Sequence, residues 1–267
     1  MKKYLAIMKI RFINSLQYRI AALAGIITQI AWSVLGVLAL SAFYKSNPLT
    51  YPMGFSQSTA YIWIQQAFLP MFMLWFFEED IFDSIKKGNI AYELVRPVNL
   101  YNRWFCQSIA SRLAKGVLRC IPVLIIGFLV PAPYGLMLPP SFIQFLLFLI
   151  SMTIGLFVII AFCMLVYIST FYLLSPTGMK TILVFFADFL AGSTIPLPFF
   201  PDKILSVIKI LPFASMQNMP LRIYSGNIAG IEALNGILLQ IFWFFMLTLV
   251  GKLWMQKATK TVIIQGG

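Results

Sequence analysis

The side chains here that could carry charge or chemistry are few and unevenly placed: twenty Lys and Arg, eight Asp and Glu, three Cys and no His in 267 residues. Without histidine there is no imidazole base and no histidine-held metal. Cys106, Cys120 and Cys163 stand apart with no Cys-x-x-Cys spacing, so they read as packing residues rather than as a metal site or disulfide framework. Three constellations remain. Five of the acids (Glu78, Glu79, Asp80, Asp83, Glu93) and four bases (Lys86, Lys87, Arg96, Arg103) crowd into residues 78–104, between almost purely apolar segments. Arg112, Lys115 and Arg119 recur at spacings of three and four and so share one helical face. Asp188 is the only acid embedded in an apolar run.

Each constellation has a functional and a structural reading. An acid inside a membrane span is a candidate proton carrier, which would make the chain an ATP-independent secondary carrier or channel. Asp188 is equally placed to cap a helix break near Gly192 or to pair with a base of a partner chain. The Arg112, Lys115, Arg119 stripe either lines a wet anion path or lies on a helix that begins in water and enters the bilayer near Lys115. Residues 78–104 must lie in water. Glu78, Glu79 and Asp80 open a short helix, Lys86 and Lys87 close it, and Gly88 sits where a left-handed cap is expected. Ile81, Phe82 and Ile85 share a face of that helix; Arg96-Pro97 ends the segment that follows. The result is a charged knuckle with an apolar face, either a docking element for a soluble partner or a loop resting on headgroups. Nucleotide hydrolysis is not expected: no G-x-x-x-x-G-K-[ST] occurs, and Gly178-Met179-Lys180-Thr181, the nearest run, lacks an adjacent Gly-Lys. No G-x-S-x-G elbow is present either.

The elements that hold these residues are apolar. At 60% hydrophobic and 10% charged, with mean hydropathy +0.88, the chain reads as a polytopic membrane protein of one transmembrane domain, residues 1–267. Its length allows about six spans of roughly 20 residues. Residues 1–19 predict an amphipathic interfacial helix with Leu5, Met8, Phe12 and Leu16 as its apolar stripe; they resemble a signal peptide's start, but Lys9 and Arg11 interrupt it and the segment is expected to be retained. Span one covers 20–44, with Ala21 and Gly25 at small-xxx-small spacing, and 45–57 forms an external loop. Span two covers 59–77, with Tyr61, Trp63 and Trp75 as belt aromatics near its ends. Span three ends near Val130, with Pro122 as a kink candidate. Span four covers 141–174, Ser175 to Gly178 form a tight turn, and span five covers 181–197. Residues 198–226 are apolar but broken by proline, and predict short external re-entrant helices with Ile204, Leu205, Ile208 and Leu211 on one face. Backbone at that depth must be buried in protein or face water. Span six covers 234–250.

The bases orient this frame. With both termini and the knuckle inside, sixteen of the twenty Lys and Arg are cytoplasmic, and only Lys45, Lys203, Lys209 and Arg222 lie outside. The +12 charge is therefore a membrane-topology signal, and nucleic acid is not an expected partner. A bacterial plasma (inner) membrane is the expected location, with membrane lipids as neighbours.

Two motifs carry a family resemblance. The run from Gly88 to Val98, with Ile90, Leu94, Arg96 and Pro97, resembles the G-x-I-x-x-x-L-x-R-P-V signature after the second span of ABC-2 type transporter permeases of the compact six-span branch. Gly192 to Gly226, with its Ile-Pro-Leu, Phe-Phe-Pro, Leu-Pro-Phe and Ile-Tyr-Ser-Gly pieces, resembles their external segment. The resemblance implies the membrane subunit of an exporter, working with separate ABC ATPase subunits and a second permease, identical or related. ATP and Mg would be bound by the ATPase, with no cofactor in this chain. It also implies that the knuckle is a coupling helix seated in a groove of the ATPase, involving Ile81, Phe82, Ile85, Lys86, Gly88, Tyr92, Glu93, Arg96 and Pro97. The aromatic-rich interior would suit an amphipathic or apolar substrate, a drug, peptide or lipid.

Overall fold

A computed structural model of the chain describes residues 2–46, 51–173 and 176–260. These are helical, with no strand among them: α1 (Lys2–Leu16), α2 (Arg19–Ser46), α3 (Phe55–Ala67), α4 (Leu69–Phe72), α5 (Glu79–Lys86), α6 (Ile90–Leu94), α7 (Leu100–Leu129), α8 (Phe142–Ser169), α9 (Pro176–Leu190), α10 (Asp202–Ile208), α11 (Asn218–Tyr224) and α12 (Gly230–Lys260). Part of the expected 45–57 loop and Ser175 of the expected turn fall outside the described residues. Thr177 and Gly178 of that turn lie instead in the first turn of α9.

Three helices are long and apolar enough to cross a membrane among the described residues: α2, α8 with its short 3-10 extension to Tyr172, and α12. A fourth, α7, has 30 residues and runs continuously through Pro122, but carries the basic stripe. Expected spans two and five are not such helices: span two is divided into α3 and α4, and α9 has 15 residues. Pro70 explains the division. It sits in the first turn of α4, where its missing N–H ends the ladder begun in α3.

The centre is α8. Its second half, Leu156 to Ser169, is buried on nearly every side, against α12, α11 and α7. A chain that buried only one stripe of each helix would leave α8 amphipathic; here neighbours surround it, which suits its uniformly apolar sequence. By contrast α2 exposes Ile20, Leu23, Ile27, Trp32 and Leu38 along an outer face.

Irregular backbone is held by side chains from the long helices. Gln144 Nε2 donates to the carbonyls of Ile223 and Ile228 at 2.8 and 3.0 Å. Gln240 Nε2 reaches those of Ser151 and Ser215, and Trp243 Nε1 that of Ile210. Residues 197–200 and 211–226 are thus broken by proline yet packed against protein, as polar backbone away from water requires, while most of 201–210 is exposed. Gly155 on α8 permits that approach, since a Cβ there would lie 2.4 Å from the Met216 carbonyl oxygen. On α10 the inward face is Leu205 and Ile208, whereas Ile204 is half exposed.

Two other sequence expectations shift. Of the α1 stripe expected to meet the headgroups, Leu5 is exposed, whereas Met8 and Phe12 pack along α7 together with Tyr4, Ile7, Arg11 and Ser15. Tyr61 and Trp63 are not belt residues but core: Tyr61 donates to Asn218 Oδ1 and Trp63 to the Tyr134 carbonyl, while Trp75 is half exposed.

Candidate functional site

The knuckle forms as the charge pattern dictates. In α5, Glu79 and Asp80 stand in the first turn and Lys86 in the last, each complementing the helix dipole. Gly88 follows with φ +73°, a conformation that side-chain-bearing residues rarely adopt, and α6 begins two residues later.

Its apolar face turns inward. Ile81 and Phe82 are 4% and 1% exposed, and Ile85 packs partly buried beside them. The Phe82 ring lies 5.0 Å from that of Tyr167 on α8 and 5.6 Å from that of Phe77. Tyr167 also takes a hydrogen bond from the Glu78 backbone N–H at 2.6 Å, so α8 grips the base of the knuckle through both ring and hydroxyl. Glu93 is likewise an anchor: it accepts from Trp104 Nε1 at 2.9 Å and pairs with Arg103 at 3.3 Å, tying α6 to α7. What faces outward is a separate set. Lys86, Gly88, Tyr92, Val95, Arg96 and Pro97 are exposed, Tyr92 and Val95 by 72% and 82%.

Ion pairs tie the knuckle to two further elements. Arg11 of α1 pairs with Glu78 and Asp80; Lys180 of α9 pairs with Glu79 at 2.7 Å and lies over the rings of Phe77 and Phe82. Partial burial lowers the pKa of the Arg11 guanidinium, but the bonds and fields of Glu78 and Asp80 outweigh it, and the net shift is upward. At the exposed side, Asp83 is held below the usual carboxylate range by its hydrogen bond to Lys87.

Arg112 does something the basic stripe did not suggest. It is 1% exposed, and its guanidinium donates to the carbonyls of Met71 and Met73 at 2.9 Å and of Phe76 at 2.8 Å. Its Nη2 also approaches Cys163 Sγ at 3.4 Å. Those acceptors belong to the stretch where span two loses its helical ladder. The guanidinium fork replaces the missing donors, so a cation of α7 holds the broken chain that leads into α5.

The other two members of the stripe diverge from it. Lys115 Nζ sits 3.2 Å from the centre of the Phe76 ring. Arg119 lies against Gly25 and donates to the Ala21 carbonyl at 3.3 Å, so the small residues of α2 make room for a guanidinium and not for a helix backbone. With Arg11, Glu78 and Asp80, both line a cavity of about 620 Å³ between α1, α2, α5 and α7.

Asp188 lies elsewhere, half buried near the end of α9. Its carboxylate bonds with Ser193, just past the positive-φ Gly192. Ser193 is held in turn by Gln217 at its hydroxyl and by Gln65 at its carbonyl. Beside this node a cavity of about 710 Å³ is lined by Trp32, Phe43, Ile62 and Phe199, with Gln65, Gln66, Ser193 and Thr194 among its polar groups.

Sequence reasoning missed Tyr167, the Arg11–Glu78 pair and the clamp role of Arg112. The last had a signal: a proline inside a span frees carbonyls, and a lone base at similar depth in the next span is a donor looking for them.

A family model described as an ABC-2 family transporter protein matches residues 18–266. No curated protein matches the chain.

Proposed function

The chain belongs to the ABC-2 transporter family, a membrane transport component, and from that premise we propose that it is the permease subunit of an ATP-binding cassette exporter, paired with a second permease and driven by separate ATPase subunits. The observation that carries this reading is the construction of the knuckle. It has an apolar root fixed to α8 by Phe82 and Tyr167, and a tip of Lys86, Tyr92, Val95 and Arg96 that is exposed among the described residues. A rigid root with a bare tip is what a lever between a soluble motor and a bundle requires. In this reading Ile81, Phe82, Ile85 and Glu93 anchor the lever, and Lys86, Gly88, Tyr92, Arg96 and Pro97 meet the ATPase.

Closure of the ATPase pair would draw two knuckles together. Motion at α5 and α6 passes to α7 through Glu93 and Arg112, to α8 through Tyr167, and to α9 through Lys180. The knuckle, α1, the start of α9 and the end of α12 gather at one end of the bundle, where Trp254 stacks on Tyr172. That supports a cytoplasmic placement for this end in a bacterial inner membrane, with six crossings counting α3–α4 and α9 as two of them. The aromatic cavity beside Gln65 supports an amphipathic or apolar substrate.

The test is a mild-detergent pull-down of the tagged chain from its native membrane, followed by ATPase assay. Recovery of a Walker-motif subunit, with hydrolysis reduced by polar substitution at Tyr92 and Val95, supports the reading. A chain recovered alone in several detergents, whose transport is lost in Asp188→Asn, favours an ATP-independent carrier.

A further inference from the structure

Toward the N-terminus of α1, next to the Glu78 cavity and sharing Arg11 and Asn14 with it, lies a groove of about 470 Å³ between α1 and the start of α7. Its apolar part is built by Ile7, Ile10 and Val98. Around it stand Lys3, Arg11, Arg96 and Arg103, and no acid lines it. The two cavities beside α1 differ in charge balance. In one, Glu78, Glu79 and Asp80 offset the bases; in the other, the cations are in excess.

Not all four bases are free. Arg11 is held by Glu78 and Asp80, and Arg103 shares Glu93, although its Nη1 has no hydrogen-bond partner among the described residues. Arg96 is exposed and Lys3 reaches only the Pro97 carbonyl, at 3.4 Å; neither has an ion pair among the described residues. An uncompensated cation pair over an apolar floor is suited to a ligand with a negative head and a greasy continuation. On the same helix Leu5, Ile10 and Ile13 are 60%, 62% and 48% exposed, so the groove opens beside a surface that aqueous solvent would not favour.

We propose that this groove seats the phosphate headgroup of an anionic phospholipid from the leaflet on the knuckle side. The phosphate lies against Lys3 and Arg96, and the first part of the lipid rests on Ile7, Ile10 and Val98. A lipid is favoured over an acidic peptide because the lining is mainly apolar and the cations stand at its edge. The proposal rests on the membrane-embedded reading and not on the ATPase partner; Arg96 and Pro97 also belong to the tip assigned above to the ATPase, so the lipid site is tested on the chain without that partner. Its consequence is that α1, which also carries the Arg11 tie to Glu78, would be pinned to the membrane surface by charge as well as by its apolar residues.

The test uses the purified full chain in neutral detergent, titrated with dioctanoyl phosphatidylglycerol, dioctanoyl phosphatidylcholine and inorganic phosphate, and followed by native mass spectrometry and hydrogen exchange. Phosphatidylglycerol should bind in preference to phosphatidylcholine, more weakly as salt rises, and protect residues 3–14 and 96–107. Lys3→Gln with Arg96→Gln should weaken it by roughly fivefold per base removed, the effect of one Lys or Arg at an anionic surface; Lys209→Gln should not. Equal binding of the two lipids overturns the proposal, as does protection confined to other segments. Displacement of the lipid by equimolar inorganic phosphate would make this a site for the free ion and overturn the lipid assignment. Protection of the groove by an added ATPase subunit and not by lipid would assign it to a protein partner and overturn it too. If the double variant does not fold, the exchange pattern of the unmodified chain still decides.

Discussion

Replacing Arg112 with methionine should uncouple the broken second span from α7. The guanidinium makes three bonds to the carbonyls of Met71, Met73 and Phe76 from a position 1% exposed. Hydrogen bonds to a charged group contribute about 1.5–3 kcal/mol each, so the gross loss is roughly 4.5–9 kcal/mol. Methionine removes the buried cation as well, and the cost of holding that charge out of water, several kcal/mol, is recovered. Three acceptors remain behind in a dry environment, each unsatisfied at about 1–3 kcal/mol. Taken together, a net loss of about 3–5 kcal/mol follows, the size found when one partner of a buried charged pair is removed. For a chain of this size that is on the order of 6–15 °C in melting temperature on the soluble-protein scale. Arg112→Lys should recover only part of it, because one ammonium cannot present the planar fork that spans three carbonyls. The assay is thermal melting of the purified chain together with amide exchange across 70–80. Melting of Arg112→Met within a degree of wild type, with unchanged exchange there, would refute the clamp. Loss of transport without those changes would return Arg112 to the anion-path reading.

Four further outcomes follow from the same geometry. Tyr167→Phe keeps the ring contact with Phe82 but removes the acceptor of the Glu78 N–H, so stability should fall by about 1–2 kcal/mol and exchange should quicken at Glu78. Phe82→Ala should cost about 3–5 kcal/mol, whereas Tyr92→Ser and Val95→Ser should leave melting within ~0.5 kcal/mol and lower ATPase activity of the assembled complex; equal melting losses at root and tip would sink the distinction. Gln240→Leu strands the carbonyls of Ser151 and Ser215, and should speed exchange across 210–226 with little change in α2. Asp188→Asn keeps the hydrogen bond to Ser193 and should preserve ATP-driven transport in vesicles; complete loss would support proton coupling.

What the sequence made legible follows a physical rule. Charge is expensive in a membrane, so charged residues mark the knuckle, its helix ends and the basic first half of α7. Hydropathy cannot tell a lipid-facing side chain from a core-facing one, because lipid tails are as apolar as leucine. For that reason the apolar stripe of α1 (Leu5, Met8, Phe12 and Leu16) does not separate the exposed Leu5 from Met8 and Phe12, which pack along α7 with Tyr4, Ile7 and Ser15. Tyr61 and Trp63 were read as interfacial for the same reason, although their polar atoms are satisfied inside the bundle by Asn218 and Tyr134. Arg112 escaped because its role depends on a break in another helix. Pro70 was visible, and Arg112 was visible; the meeting of the two required packing.

That meeting also constrains how force can pass through the molecule. An uninterrupted second span would link the knuckle to the bundle by one stiff rod, and any displacement would have to tilt all of it. Here the rod stops at Ala67, and the chain from Leu69 to Glu78 is fixed by contacts from other helices: Arg112 from α7 and Tyr167 from α8. A push on α5 therefore enters the bundle through α7 and α8 before it reaches α3. Lys180 and Arg11 add two ion pairs to exposed partners, Glu79 and Asp80, which in water contribute little to stability, about 0–1 kcal/mol each, and so can break and re-form during a cycle. The permanent joints are the buried ones, and the exchangeable joints are the exposed ones. On this arrangement Lys180→Gln should alter transport rate and leave melting nearly unchanged, whereas Arg112→Met should alter both; a large melting loss in Lys180→Gln would show that α9 is held rigidly and that the order of transmission is wrong.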